Sequence, residues 1–249
     1  KRKLMKYTSY RYNGFTLVEI SIVMIIIGLL IGGTFGGMKL IENMQVNKTV
    51  QDLKAIESAA LTFKDTYGRL PGDIVNPASR LPACTVAPCA TGGNGNRIIG
   101  AAGLNLAAIP APAEAQENVT FWSHLQAADV LSVGTRNVSD SAFGAAQPDN
   151  QIGGGFRLFD ASGAVIGSGC TQIQRTAVWI TSRPTAAIGW DDTIPCSSLS
   201  SIDTKIDDGR PAMGTFKSAW GCDSSGSATC TDTYLMSGSG ASLYDLKGF

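Results

Sequence analysis

The chain has 249 residues, 44% of them hydrophobic, which is enough apolar side chain to core one large domain or two small ones and excludes a disordered tail. Basic and acidic residues number 20 each, but residues 1–14 hold Lys1, Arg2, Lys3, Lys6 and Arg11 with no acid. Without those five, 15 basic residues face 20 acidic ones, a balance that makes the remainder a poor binder of nucleic-acid phosphates.

The basic cluster stands directly before an apolar run, Phe15 to Met38, in which Glu19 is the only charge before Lys39. Its 24 residues match the roughly 17–25 that span a hydrocarbon core. The preceding Lys and Arg hold residues 1–14 in the cytoplasm and send the chain beyond the run outward. A secretory signal peptide is the rival reading, with Ile20–Ile31 as its apolar region and "GGTFGG" (residues 32–37) as its cleavage site. The carboxylate within the run and the helical stripe after it both speak against that rival.

Past Met38 the chain turns polar without a Pro, and Val50, Leu53, Ile56, Ala60, Phe63 and Tyr67 recur at steps of three and four. That is the stripe of an amphipathic helix, stopped by Gly68 and Pro71. A single helix is expected from Phe15 to Tyr67, roughly 80 Å long at 1.5 Å per residue. Gly28, Gly32, Gly33, Gly36 and Gly37 fall inside it. They read either as small-residue faces for close helix packing or as points where the segment unwinds.

Gly14 followed by "FTLVEISIVMIIIGLL" after a basic leader resembles the type IV prepilin signature, shared by type IV pilins and the pseudopilins of type II secretion systems. The resemblance covers roughly residues 10–70. It implies that a prepilin peptidase cuts between Gly14 and Phe15, that the new amine of Phe15 is N-methylated, and that Glu19 serves assembly. Counted from Met5, the leader is "MKYTSYRYNG"; either start leaves the same junction. A carboxylate in a membrane helix costs about 2.5–3.5 kcal/mol at the helix centre and less near an end. The amine that cleavage exposes on a neighbouring subunit is the partner the family supplies, and the pair sets register between helices. Many family members carry Pro where this chain has Gly36, a departure that bears on major-pilin status.

The implied fold is α+β and type IV pilin-like, a long N-terminal helix packed on a small antiparallel β-sheet domain. Four parts are expected: leader 1–14, transmembrane and filament-core helix 15–38, the amphipathic half of the same helix 39–67, and a disulfide-bonded α+β domain 68–249. The implied role is a structural subunit of a type IV pilus or pilus-like filament, with a type II secretion pseudopilin as the alternative. Its partners are then prepilin peptidase, the inner membrane before assembly, and other copies or related pilins in the filament. The body sits in the periplasm first, then on a surface pilus or a periplasmic pseudopilus. No cofactor and no nucleic acid are expected.

Beyond the helix, Pro71 to Ala115 is rich in Pro, Gly, Asn and Ala and reads as a long surface loop. "TFWSHLQAADVL" (residues 120–131) sets Phe121, Leu125, Ala128 and Leu131 on one helical face. "FRLFDASGAVIG" (156–167) and "QRTAVWITS" (174–182) read as antiparallel strands. "SLSSIDTKIDDGRPAMG" (198–214) reads as a Ser-capped helix ending in a turn, and "TFKSAWGC" (215–222) and "DTYLMS" (232–237) as edge strands. Near the end of that helix, Asp203, Asp207 and Asp208 offer oxygens to a calcium ion without EF-hand spacing, or else shape the turn before Gly209.

Cys84, Cys89, Cys170, Cys196, Cys222 and Cys230 all lie beyond the apolar run, and an even count in an exported domain suggests disulfides. The sequence-local set is Cys84–Cys89 and Cys222–Cys230, which leaves Cys170–Cys196. With no C-x-x-C and one histidine, zinc is not expected. His124 lies in the expected short helix and reads as a hydrogen-bonded packing residue rather than a general base. There is no G-x-S-x-G or H-E-x-x-H motif. A membrane-anchored enzyme built on paired carboxylates is the reading from another class.

Overall fold

The computed structural model describes residues 14–100, 117–132, 142–145, 147–160, 165–166, 171–172, 176–184, 192–222 and 233–247. The chain divides into two compact units, Lys1–Asn43 and Met44–Phe249. One helix, α1 (Leu17–Tyr67), contributes to both. No Pro interrupts it, and it ends where Gly68 adopts a left-handed φ of 67° and donates its N–H to Lys64 O at 2.8 Å. That single bond is the αL stop that glycine makes without a Cβ penalty.

In the first unit every described side chain is exposed, Gly14 to Asn43. This stretch of α1 is long and apolar enough to cross a membrane. Its hydroxyls stay on their own helix, Ser21 Oγ donating to Val18 O and Thr34 Oγ1 to Leu30 O, each at 2.8 Å. Between Phe15 and Lys39, only Glu19 and Lys39 carry charge.

In the second unit the helix buries the stripe that its spacing predicts. Leu53, Ile56, Ala60 and Phe63 are wholly buried, Val50 and Tyr67 partly so, and Val46, Thr49 and Ala59 widen the face. Two side-chain links fix it to the body. Glu57 accepts from Tyr244 Oη at 2.7 Å and from Lys247 N at 3.0 Å, while Lys205 Nζ donates to Asn47 Oδ1 at 2.6 Å.

The body holds α2 (Glu117–Ala127), α3 (Cys196–Ile206) and, among the described residues, seven strands. These are β1 (Gly155–Asp160), β2 (Val165–Ile166), β3 (Thr171–Gln172), β4 (Thr176–Thr181), β5 (Ile194–Pro195), β6 (Phe216–Trp220) and β7 (Ser239–Asp245). All described pairings of these strands are antiparallel. The main sheet runs β1-β4-β7-β5 with β6 also on β7; β2 and β3 form a separate hairpin. The architecture is α+β and type IV pilin-like, as expected.

Several local expectations are corrected. β7 is not among the expected strands, yet it pairs with β4, β5 and β6; of residues 232–237, expected as an edge strand, the described 233–237 form none. The helix expected at 120–131 is α2, three residues earlier and buried on every side from Asn118 to Gln126. α3 starts before Ser198, at Cys196, and its N-cap position is Pro195, with no side-chain cap. The segment after α1 is no surface loop over its described part, because Leu70, Asp73, Ile74, Leu81, Cys84, Cys89 and Ile99 are all buried. Cys84–Cys89 is bonded as expected, but Cys196 bonds Cys222, which replaces both Cys222–Cys230 and Cys170–Cys196. Proximity in sequence lost to the fold: β5 leads straight into Cys196 and β6 straight into Cys222, and both strands lie on β7. Cys170 and Cys230 lie outside the described residues, as do 101–116 of the expected loop.

Candidate functional site

Gly14 and Phe15 precede α1 in non-helical backbone, and Phe15 is 83% exposed. A Cβ placed on Gly14 meets nothing within 4 Å. Among the described residues nothing crowds the peptide bond between them.

Thr16 is the residue before the first helical position, and Glu19 stands three residues after it. Glu19 Oε2 accepts from both Thr16 N and Thr16 Oγ1 at 2.8 Å, and Thr16 Oγ1 accepts from Glu19 N at 3.3 Å. This reciprocal arrangement is a capping box, which satisfies two of the N–H groups that a helix start leaves without partners. The carboxylate also sits at the positive end of the helix dipole. Glu19 thus has a local partner before any cut is made. Sequence reasoning missed Thr16, although T-x-x-E ahead of an apolar run is the signal for it.

The five glycines of the apolar run sit in unbroken helix, and a Cβ on any of them meets nothing within 4 Å. Gly28, Gly32 and Gly36 stand at intervals of four and so share one open face.

In the body, His124 is wholly buried in α2. Its Nδ1 accepts from Gly72 N at 2.8 Å, and its Nε2–H donates to Cys89 O at 3.0 Å, so both ring nitrogens are used and the tautomer follows. Its ring lies parallel to Phe63, 6.4 Å between centres. Burial, against the opposing pull of the Cys89 carbonyl, lowers its pKa to about 4. It ties the segment after α1 to α2 and offers no lone pair for catalysis. Cys84 and Cys89 lie beside it, but their sulfurs are joined to each other and supply no thiolate to a metal.

Two acids hold the chain at 94–100. Asp73, buried, accepts from Gly95 N at 2.6 Å and Arg97 N at 2.7 Å; Glu117 accepts from Asn94 N and Gly100 N, each at 2.9 Å. Burial raises the pKa of Glu117, with the Asp73 charge adding to it and the two N–H bonds opposing.

The structure brings Asp203, Asp207 and Asp208 together, with carboxylate oxygens within 4.8 Å of one another. Each has work inside the fold. Buried Asp203 accepts from Tyr234 Oη at 2.9 Å, and its pKa is raised to about 7 by burial, with the charges of Asp208 and Asp207 adding. Asp207 accepts from Thr215 N, from Thr215 Oγ1 at 3.0 Å and from Phe216 N at 3.4 Å. Burial acts to raise the Asp207 pKa, but those bonds and Lys247 carry it below its ordinary value. Asp208 Oδ1 accepts from Arg210 N at 3.0 Å. The turn-shaping reading accounts for Asp207 and Asp208.

Residues 10–35 match the family model described as the prokaryotic N-terminal methylation motif, which is the prepilin-type cleavage and methylation motif. Comparison with curated proteins and with solved structures gave no match.

Proposed function

We propose that this chain, a type IV pilin- or pseudopilin-type protein by its methylation motif and its fold, is a structural subunit of a type IV pilus or pilus-like filament. The observation that carries the reading is the junction itself: an uncrowded Gly14–Phe15 bond, then a helix whose first turn holds Glu19 on Thr16, then an exposed apolar surface from Phe15 to Met38. Prepilin peptidase removes residues 1–14 and leaves a cationic amine on Phe15, which is then N-methylated. A cation at the positive end of a helix dipole is unfavourable alone, and Glu19 is the carboxylate at hand to offset it, in its own chain or in the next. The anchored segment holds the subunit in the inner membrane with the body in the periplasm until neighbouring helices replace lipid around it. The pseudopilin of a type II secretion system is the alternative, and the same junction serves both.

Intact and N-terminal peptide mass spectrometry on protein from its own host, or from cells that supply prepilin peptidase, tests this directly. The expected mature chain begins at N-methylated Phe15. A chain that keeps residues 1–14, or one cut after Gly37 as a secretory precursor would be, overturns the reading.

A further inference from the structure

The last turns of α1 and the segment that Asp73 holds border a cavity of about 510 Å³, lined by Lys64, Asp65, Gly68, Arg69, Leu70 and Arg97. Among its described lining residues Lys64, Arg69 and Arg97 are cationic and Asp65 is acidic. The C-terminal end of a helix attracts cations for its own sake, and Arg80 serves that end directly by donating Nη1 to Tyr67 O at 3.3 Å. Arg97 does something else.

Arg97 has a left-handed φ of 68°, a conformation disfavoured for a long side chain and natural for Gly or Asn. The buried carboxylate of Asp73 holds it there through its N–H, while Arg69 Nη1 donates to Gly95 O at 3.1 Å and braces the same turn. Among the described residues the Arg97 guanidinium has no hydrogen bond and no ion pair. The turn thus presents a guanidinium without a partner among the described residues, beside a second that spends one of its five donors. Two such forks suit a carboxylate, which guanidinium binds through paired N–H groups.

The charge balance of the chain says where that carboxylate comes from. Past residue 14 it has 20 acidic residues against 15 basic ones, and Asp129 and Asp149 are exposed on the same unit. We infer that the Arg69–Arg97 cleft receives a carboxylate from the acidic surface of a second copy of this chain. The contact joins two different patches, so it repeats in one direction, as a filament requires. The inference rests on the filament reading above.

The test uses the full chain in cells that process and assemble it. Filaments of an Arg97→Lys variant are treated with a carbodiimide, which joins an amine to a touching carboxylate with loss of water. The expected product is a covalent dimer on a denaturing gel, in which the peptide containing position 97 is linked to an Asp- or Glu-bearing peptide. Alongside it, the double variant Arg69→Glu/Arg97→Glu is expected to lose at least tenfold in sheared filament, with processed subunit in the membrane unchanged and Arg97→Lys intermediate between it and the wild type. Links only within one copy, or full filament yield from the double variant, overturn the inference and leave the filament reading standing. Absent links together with inorganic phosphate binding that the double variant loses make a free oxyanion the occupant and overturn it as well. A wild-type chain that is processed and never assembles overturns both.

Discussion

His124 and Asp203 are both buried and ionisable, and they bend stability in opposite directions with pH. The His124 pKa falls from 6.5 to about 4 on folding, so the unfolded chain takes its proton first, and the contribution of this residue is lost as pH falls from 6.5 to 4. The Asp203 pKa rises from 3.8 to about 7, so its contribution is complete below 3.8 and is lost as pH rises to 7. Between pH 4 and 6.5 the two oppose, and the wild-type stability is expected to vary little there. Asp203→Asn removes one side of the balance: its stability should climb with pH across that window, with a slope approaching about 1.4 kcal/mol per pH unit. Denaturant midpoints across pH check this, and a flat profile for the variant rules out the His124 account. His124 as a packing residue was legible from its place in an apolar helix. The raised proton affinity of Asp203 was not, because it comes from burial that only the fold imposes, against the opposing hydrogen bond from Tyr234, thirty-one positions away.

At the scale of elements, the two described disulfides close loops of different length, five residues for Cys84–Cys89 and 26 for Cys196–Cys222. Chain-entropy arithmetic assigns them about 2 and about 3.5 kcal/mol respectively. Cys196→Ser/Cys222→Ser is therefore expected to lower stability more than Cys84→Ser/Cys89→Ser, and paired thermal or denaturant unfolding measurements decide it. The second bond also pins the junction of β5 with α3 to the end of β6. Legibility in the sequence divides along the same line, between local and distant causes. α1 announced itself because a Pro-free stretch with steps of three and four needs no partner to be read. α2 was legible from the spacing of Phe121 and Leu125, but its burial on every side was not, because that depends on what packs around it. β7, "SGASLYD", has few strand-forming residues and is a strand because β4, β5 and β6 pair with it. The capping box at residues 16–19 was legible too, since its bonds need nothing from the rest of the fold.

At the scale of the whole molecule, the proposed filament puts two demands on one side chain. Glu19 must be quiet enough for insertion, which the Thr16 bonds provide, and then available to a cationic amine once the leader is gone. Glu19→Ala is expected to insert in the membrane and to be cut at Gly14–Phe15, while recovery of sheared filament falls at least tenfold; normal recovery removes Glu19 from assembly. The order of the sheet adds a constraint on how the body is made. β7 comes later in the chain than every strand that it joins, so β4, β5 and β6 leave the ribosome, and cross the membrane in the proposed topology, before the strand that closes them exists. A chain caught halfway through export has no finished sheet to jam the channel. The same delay leaves those strand edges bare until β7 emerges, and in that interval they are open to mispairing and to periplasmic proteases.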